Sequence, residues 1–172
     1  MRIVLVGMPA SGKTTLGLEL SEKLNLKFID SDAYIESKFK MTIPSIFNSV
    51  GEDGFRKLEN IVLDEILNVD NIIISTGGGL PCFYDNMDVI NKRAVSLYVV
   101  ATHETLVFRI AKTKRKRPLT DKLEKEDLVN YIKTTFEKRR VFYEKAYHQF
   151  NPLTQNIEDI IFELQSYDKK NI

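Results

Sequence analysis

Short apolar runs alternate along this chain with longer stretches of helical period. Ile3-Val4-Leu5-Val6 is continuous, rich in β-branched residues, and stops at Gly7. Such a run reads as a strand buried on both faces, as in a parallel sheet. From Gly12 the pattern changes: Leu16, Leu20 and Leu24 recur at helical spacing, with Glu19, Glu22 and Lys23 between them. Lys27-Phe28-Ile29-Asp30 reads as a second strand. A helix starts near Ser31 or Asp32, both good cap residues. Residues 42–49 suit a short helix with Pro44 in its first turn. Glu52 to Asn68 suits a longer one, with Phe55, Leu58, Val62 and Ile66 on one face. Ile72-Ile73-Ile74 is a third strand running into Gly77-Gly78-Gly79, and Val95 to Val100 is a fourth. A helix follows from about His103 to Ala111. The segment from Lys112 to Pro118 has little apolar content and reads as an exposed loop. Leu128 to Tyr143 reads as helical, Tyr147–Phe150 as a fifth strand, and Ile157–Leu164 as a last helix before a frayed tail.

Strands alternating with helices predict an α/β fold with a mainly parallel sheet. No repeat, linker or low-complexity tract divides the chain, so residues 1–172 are expected to form one domain. In such a sheet, ligands bind beyond the carboxyl ends of the strands. Three loops leave those ends, after Val6, Ile29 and Ile74, and all three carry unusual residues.

Composition narrows the function classes. The chain is 43% hydrophobic and 28% charged with a net charge of +1, so it has no basic excess to suggest nucleic acid or an anionic membrane. The only cysteine, Cys82, permits no internal disulfide, which suits a reducing compartment. The apolar run at the N-terminus is too short for a signal peptide, and no segment approaches a membrane span. The expectation is a cytoplasmic protein.

The sharpest chemical signal is Gly7-Met8-Pro9-Ala10-Ser11-Gly12-Lys13-Thr14, which matches G-x-x-x-x-G-K-[ST] between a buried strand and an amphipathic helix. Backbone N–H groups of such a loop wrap phosphates, and the helix N-terminus adds partial positive charge. Lys13 is placed to reach the β- and γ-phosphates and the Thr14 hydroxyl to bind Mg²⁺. Ala10 stands where many such loops carry glycine. A guanine-nucleotide switch would need Asn-Lys-x-Asp, and Asn91-Lys92-Arg93-Ala94 lacks the aspartate.

Other positions carry a chemical and a structural reading side by side. Asp30 and Asp32, at a strand end, suit Mg²⁺ binding through water and proton acceptance from an attacking hydroxyl. They also suit a helix cap. Arg56 offers a fork for a substrate carboxylate, or is a solvated helix arginine. Gly77, Gly78 and Gly79 admit close approach of an anionic ligand to the backbone, or form a tight turn. Five of the six residues 112–117 are basic. That run is a nucleic-acid patch, a solvated loop, or a lid whose Arg117, stiffened by Pro118, closes over the transferred group.

Together these pieces resemble the shikimate kinase family. The phosphate loop, Asp30-x-Asp32, Gly51-Glu52 with Phe55-Arg56 and Glu59, Gly77-Gly78-Gly79, Arg117-Pro118-Leu119, and Arg139 four residues before Tyr143 occur in that family's order and approximate spacing. The resemblance spans residues 1–165. It implies a P-loop fold of the nucleoside monophosphate kinase type, with a five-stranded parallel sheet of order 2-3-1-4-5, an acceptor-binding region at about 32–60 and a lid at about 112–124. It implies transfer of the γ-phosphoryl of ATP to the 3-hydroxyl of shikimate, with Mg²⁺, on the route to aromatic amino acids. Ala10, Ser11, Gly12, Lys13, Thr14, Thr15, Arg109 and Arg117 would bind nucleotide, with Thr14 and, through water, Asp30 serving the metal. Asp32, Phe47, Phe55, Arg56, Glu59, Gly77, Gly78, Gly79 and Arg139 would bind shikimate. Lys13, Asp32 and Arg117 would be catalytic. A monomer is the expectation, with small-molecule partners only. The competing readings are another small kinase, for gluconate or a nucleoside monophosphate, and a nucleotide-binding regulator without turnover.

Overall fold

The computed structural model describes residues 1–112 and 125–170. Five strands, β1 (Arg2–Val6), β2 (Lys27–Asp30), β3 (Ile72–Ser75), β4 (Val95–Val99) and β5 (His148–Phe150), form one sheet in the order β2-β3-β1-β4-β5. Every neighbouring pair is parallel. The helices are α1 (Lys13–Leu24), α2 (Ser31–Phe39), α3 (Ile43–Ile66), α4 (Asn86–Arg93), α5 (His103–Lys112), α6 (Lys125–Tyr143) and α7 (Ile157–Lys170).

The alternation within β1 shows why the sheet needs helices on both faces. Val4 and Val6 join a cluster with Ile35, Phe55, Val62, Ile66, Leu106 and Ile132 from α2, α3, α5 and α6. Ile3 and Leu5 point the other way, into a cluster with Leu16 and Leu20 of α1 and Ile160 and Leu164 of α7. All four β1 residues are fully buried. Each such aliphatic side chain contributes roughly 1.5–3 kcal/mol of hydrophobic stabilisation.

Several elements differ from the sequence expectation. The helices expected at 42–49 and from Glu52 are the two halves of α3, joined at Gly51, whose φ of 70° and ψ of −176° are not helical. That conformation is essentially restricted to glycine. Thr42 caps the first half by accepting from the Ser45 N–H. Helix α2 does start at Ser31, and of the cap candidates it is Asp30 that caps it. Helix α7 continues through Lys170, past the expected end at Leu164. Helix α4 was not expected at all. It buries only Asn86, Met87 and Ile90, and Asp85 before it makes no side-chain cap bond.

Candidate active site

The carboxyl ends of β1, β2 and β3 open into one cavity of about 1160 Å³. Gly12, with φ of 109°, precedes α1 and supplies no side-chain cap. A cap residue without a side chain suits this helix end to an anion. The loop between β1 and α1 closes on itself: buried Lys13 Nζ donates to the carbonyls of Gly7 at 2.9 Å and Met8 at 2.8 Å. Ala10 holds a φ of 66°, a left-handed conformation that costs a non-glycine residue roughly 1–2 kcal/mol. Arg109 of α5 lies over this loop and donates to the carbonyls of Ala10 at 3.2 Å and Ser11 at 3.0 Å.

Asp30 answers both of its sequence readings at once. Its Oδ1 accepts from the N–H groups of Asp32 and Ala33 and so caps α2. Its Oδ2 accepts from the Thr14 hydroxyl at 3.0 Å. Ser75 Oγ stands 3.5 Å from the same hydroxyl. The result is a cluster of oxygen donors beside the phosphate loop, while no group of three or more His, Cys, Asp or Glu side chains suited to a metal occurs among the described residues.

The other half of the cavity is built around Arg56, which is 5% exposed and therefore not a solvated helix arginine. Its Nη1 donates to Glu59 at 2.7 Å and its Nη2 to Glu52 at 2.8 Å. The guanidinium carbon lies 4.2 Å from the ring centre of Phe83, 5.5 Å from Phe55 and 5.9 Å from Phe47. Cation–π contacts of this kind strengthen when desolvated. Burial works against the Arg56 charge, but Glu59 and Glu52 outweigh it and hold the group well protonated. Burial pushes the Glu59 carboxyl up to about 7 against the pull of Arg56, with nearby Asp32 adding to the rise.

Each glycine of 77–79 meets a different neighbour, and none has a positive φ. A Cβ on Gly77 would collide with the Asp32 carboxylate, one on Gly78 with the Pro9 ring, and one on Gly79 would sit 2.9 Å from Arg56 Cζ. Close approach of side chains, not turn geometry, is what excludes a Cβ here. The Gly77 N–H donates to buried Ser31 Oγ at 2.8 Å.

The residues singled out from the sequence thus converge. Ala10 to Thr15, Asp30, Asp32, Phe47, Phe55, Arg56, Glu59, Gly77 to Gly79, Arg109 and Arg139 all line the cavity. Arg117 and most of the expected lid at about 112–124 lie outside the described residues. Glu52 and Phe83 hold Arg56, although the sequence shows Glu52 only as part of the family pattern, without a role, and does not point to Phe83. Spacing gives Glu52 away, since i and i+4 share a helix face, but Phe83 follows a glycine turn and has no such signal. Pro152, Gln155 and Asn156 also line the cavity, and nothing in their spacing points to it.

A family model described as shikimate kinase matches residues 9–167. The shikimate kinase of Bacteroides thetaiotaomicron is 42% identical over 151 residues, covering 88% of this chain and 86% of its own. That of Azobacteroides pseudotrichonymphae is 41% identical over 161 residues, covering 93% and 95%. A crystal structure of the B. thetaiotaomicron enzyme superposes with a TM-score of 0.88 at 39% identity, covering 98% of each chain. The shikimate kinase of Acinetobacter baumannii in complex with shikimate gives 0.83 at 31% identity, over 99% of this chain and 93% of that one. A gluconokinase from Sinorhizobium meliloti shares the fold alone, with a TM-score of 0.58 at 13% identity. Similarity that runs along nearly the whole chain goes beyond a common phosphate-loop architecture, and the chain belongs to the shikimate kinase family of ATP-dependent phosphotransferases.

Proposed function

We propose that this chain, as one domain, transfers the γ-phosphoryl group of ATP to the 3-hydroxyl of shikimate, giving 3-phosphoshikimate and ADP. The observation that carries the reading is a buried arginine fork, Arg56, standing with Arg139 and Asp32 on the same cavity as the phosphate loop. Two arginines and a glycine backbone suit a carboxylate, and a ring-sized acceptor suits the aromatic wall of Phe47 and Phe55. The A. baumannii relative is described in complex with shikimate, which supports this acceptor.

Phosphoryl transfer leaves the protein little covalent work, so catalysis is positioning and charge neutralisation. The α1 N-terminus and Lys13 hold the triphosphate, with Ala10, Ser11, Gly12 and Thr15 wrapping it and Arg109 beside the base. The Thr14 hydroxyl and the Asp30 carboxylate, both oxygen donors, fit Mg²⁺, which favours oxygen ligands and keeps several waters. Bound with ATP, the ion offsets charge on the β- and γ-phosphates. Asp32 accepts the proton of the attacking hydroxyl. Arg56, Arg139 and the Gly78 backbone clamp the carboxylate, while Phe55, Glu59, Gly77 and Gly79 shape the floor.

Arg56 spends one donor on each glutamate, and its buried Nε has no partner among the described residues, so the fork keeps donors for an arriving carboxylate. Glu52 is the looser of the two partners, its side chain 47% exposed against 2% for Glu59. Glu59 stays and keeps the fork oriented. Arg117 is assigned to the charge on the transferred group by the family's pattern.

We take the protein to work as a monomer in the cytoplasm, without nucleic acid or membrane. A net charge of +1 supports the absence of a nucleic-acid partner. Among the described residues no helix is long and apolar enough to cross a membrane.

The test is ADP release from ATP and Mg²⁺ with shikimate, gluconate or AMP as acceptor. Turnover is expected with shikimate alone. Turnover with gluconate or AMP instead would overturn the acceptor assignment, and none with any would replace the kinase by a nucleotide-binding regulator.

A further inference from the structure

Helix α6 ends on a tyrosine that the reaction as described leaves unused. Tyr143 is fully buried, and its hydroxyl donates to the Gly78 carbonyl at 2.5 Å. The same oxygen lies 3.7 Å from Met8 Sδ in the phosphate loop. The ring packs on Tyr98 of β4 with 5.4 Å between centroids. One hydroxyl thus meets the glycine turn and the phosphate loop from the end of α6. Phenylalanine would fill nearly the same volume, and a buried hydroxyl is unfavourable unless bonded. The hydroxyl therefore needs a reason beyond packing.

The glycine turn supplies one. Gly77, Gly78 and Gly79 have no side chains by which the protein can grip them, and glycine is the most freely rotating residue. The turn is held instead by its backbone groups: the Gly77 N–H on Ser31, the Gly77 and Gly79 carbonyls on the N–H groups of Leu80 and Cys82, and the Gly78 carbonyl on Tyr143, the bond that reaches α6. Cys82 Sγ also faces that carbonyl, but at 3.9 Å it is a weak donor. Arg139 stands one turn before Tyr143 on the same face of α6, and its guanidinium acts electrostatically on the hydroxyl. The bond therefore ties Gly78 to the end of α6, the helix that carries Arg139, so that two groups reaching the cavity from different elements are linked through Tyr143.

We propose that Tyr143 is a positioning residue of the acceptor pocket: its hydroxyl fixes the glycine turn to the end of α6, so that Gly78 and Arg139 stand at a set separation before the acceptor carboxylate arrives. This rests on the reading of the pocket as a carboxylate site given above. Without the bond, the turn keeps its other contacts but loses its link to α6, so the acceptor itself has to set the separation of Gly78 and Arg139, and that cost falls on acceptor affinity.

Tyr143→Phe deletes the hydroxyl and leaves the ring against Tyr98 and Met8, so the fold is retained. The KM for shikimate is expected to rise on the order of 10-fold, the usual scale for one lost hydrogen bond, with the KM for ATP within about twofold. Combined with Arg139→Lys, the same change should raise the shikimate KM by a smaller factor than it does alone, because the arginine that it positions is already impaired. An unchanged shikimate KM in Tyr143→Phe, whatever its melting temperature, would leave the hydroxyl as a packing feature and overturn the proposal. So would an equal rise in both KM values. Turnover of the unaltered protein with shikimate, and weakened acceptor binding in Arg139→Lys alone, test the pocket reading separately. If those fail, both ideas fall; if they hold and Tyr143→Phe is silent, only the tyrosine's role falls.

Discussion

Glu59 is a carboxylate whose burial outweighs its partner. Desolvation raises it to about 7 from an ordinary value of 4.5, despite Arg56 at 2.7 Å. The folded state therefore prefers the protonated form. Below about pH 4.5 the carboxyl is neutral in both the folded and unfolded chain, and its contribution to stability is fully present. As pH rises through 7 the unfolded chain gains more from ionisation, and that contribution is lost, by about 3 kcal/mol at most. Glu59→Gln removes the titration while keeping an acceptor for Arg56. Urea denaturation at pH 5 and pH 8 should show the unaltered protein losing more stability than the variant across that window. Parallel pH slopes would mean that Glu59 stays ionised beside Arg56 throughout. Nothing in the sequence announces this behaviour, because it depends on what the fold places around residue 59. Ala10 is the opposite case: its departure from the usual glycine was visible in the loop motif, and the structure gives its consequence as a left-handed φ.

At the scale of elements, glycines separate backbone strain from steric exclusion. Gly51 joins the halves of α3 in a glycine-only conformation with nothing within 4 Å of where a Cβ would stand. Gly51→Ala should therefore act through strain alone, lowering stability by roughly 1–3 kcal/mol. Gly79 has no such φ, but a Cβ there presses on the Arg56 guanidinium. Gly79→Ala should instead raise the acceptor KM on the order of 10-fold or more, as expected when a positioned group is displaced, with the ATP KM little changed. Urea denaturation and steady-state kinetics on both variants read the contrast. Full stability in Gly51→Ala would show that the junction relaxes, and an unmoved acceptor KM in Gly79→Ala would remove Arg56 from acceptor binding. Legibility varies among the elements for physical reasons. The runs Ile3–Val6 and Ile72–Ile74 announce themselves because both faces are buried. Helix α4 does not, since Asn86-Met-Asp-Val-Ile-Asn-Lys-Arg93 buries too few apolar residues to set a period. Asp30 took the cap of α2 because Ser31, a good candidate by type, is spent on the Gly77 N–H.

The whole molecule follows from the sheet order. With β1 central, its phosphate loop stands between the turn after β3 on one side and the helices that follow β4 and β5 on the other. On the proposed reading the cavity has a nucleotide half, around Lys13 and Arg109, and an acceptor half, around Arg56 and Gly79. Direct packing joins them at Pro9 on Gly78. The order 2-3-1-4-5 reached the sequence reading only through family resemblance, because strand order is set by contacts between distant segments that periodicity does not carry. Two halves on one rigid sheet should bind as separable sites. At a hundredfold excess over Kd each ligand adds about 2.7 kcal/mol, or roughly 5–10 °C in Tm for a domain of this size. Lys13→Met should lose most of the shift produced by ADP with Mg²⁺ and keep that produced by shikimate. Arg56→Lys should do the reverse, because a point charge replaces a planar fork. Thermal denaturation of the three proteins with each ligand decides it. If Lys13→Met also abolished the shikimate shift, the phosphate loop and the glycine turn would be one cooperative unit, and the contact between Pro9 and Gly78 would be the place where binding at one end sets affinity at the other.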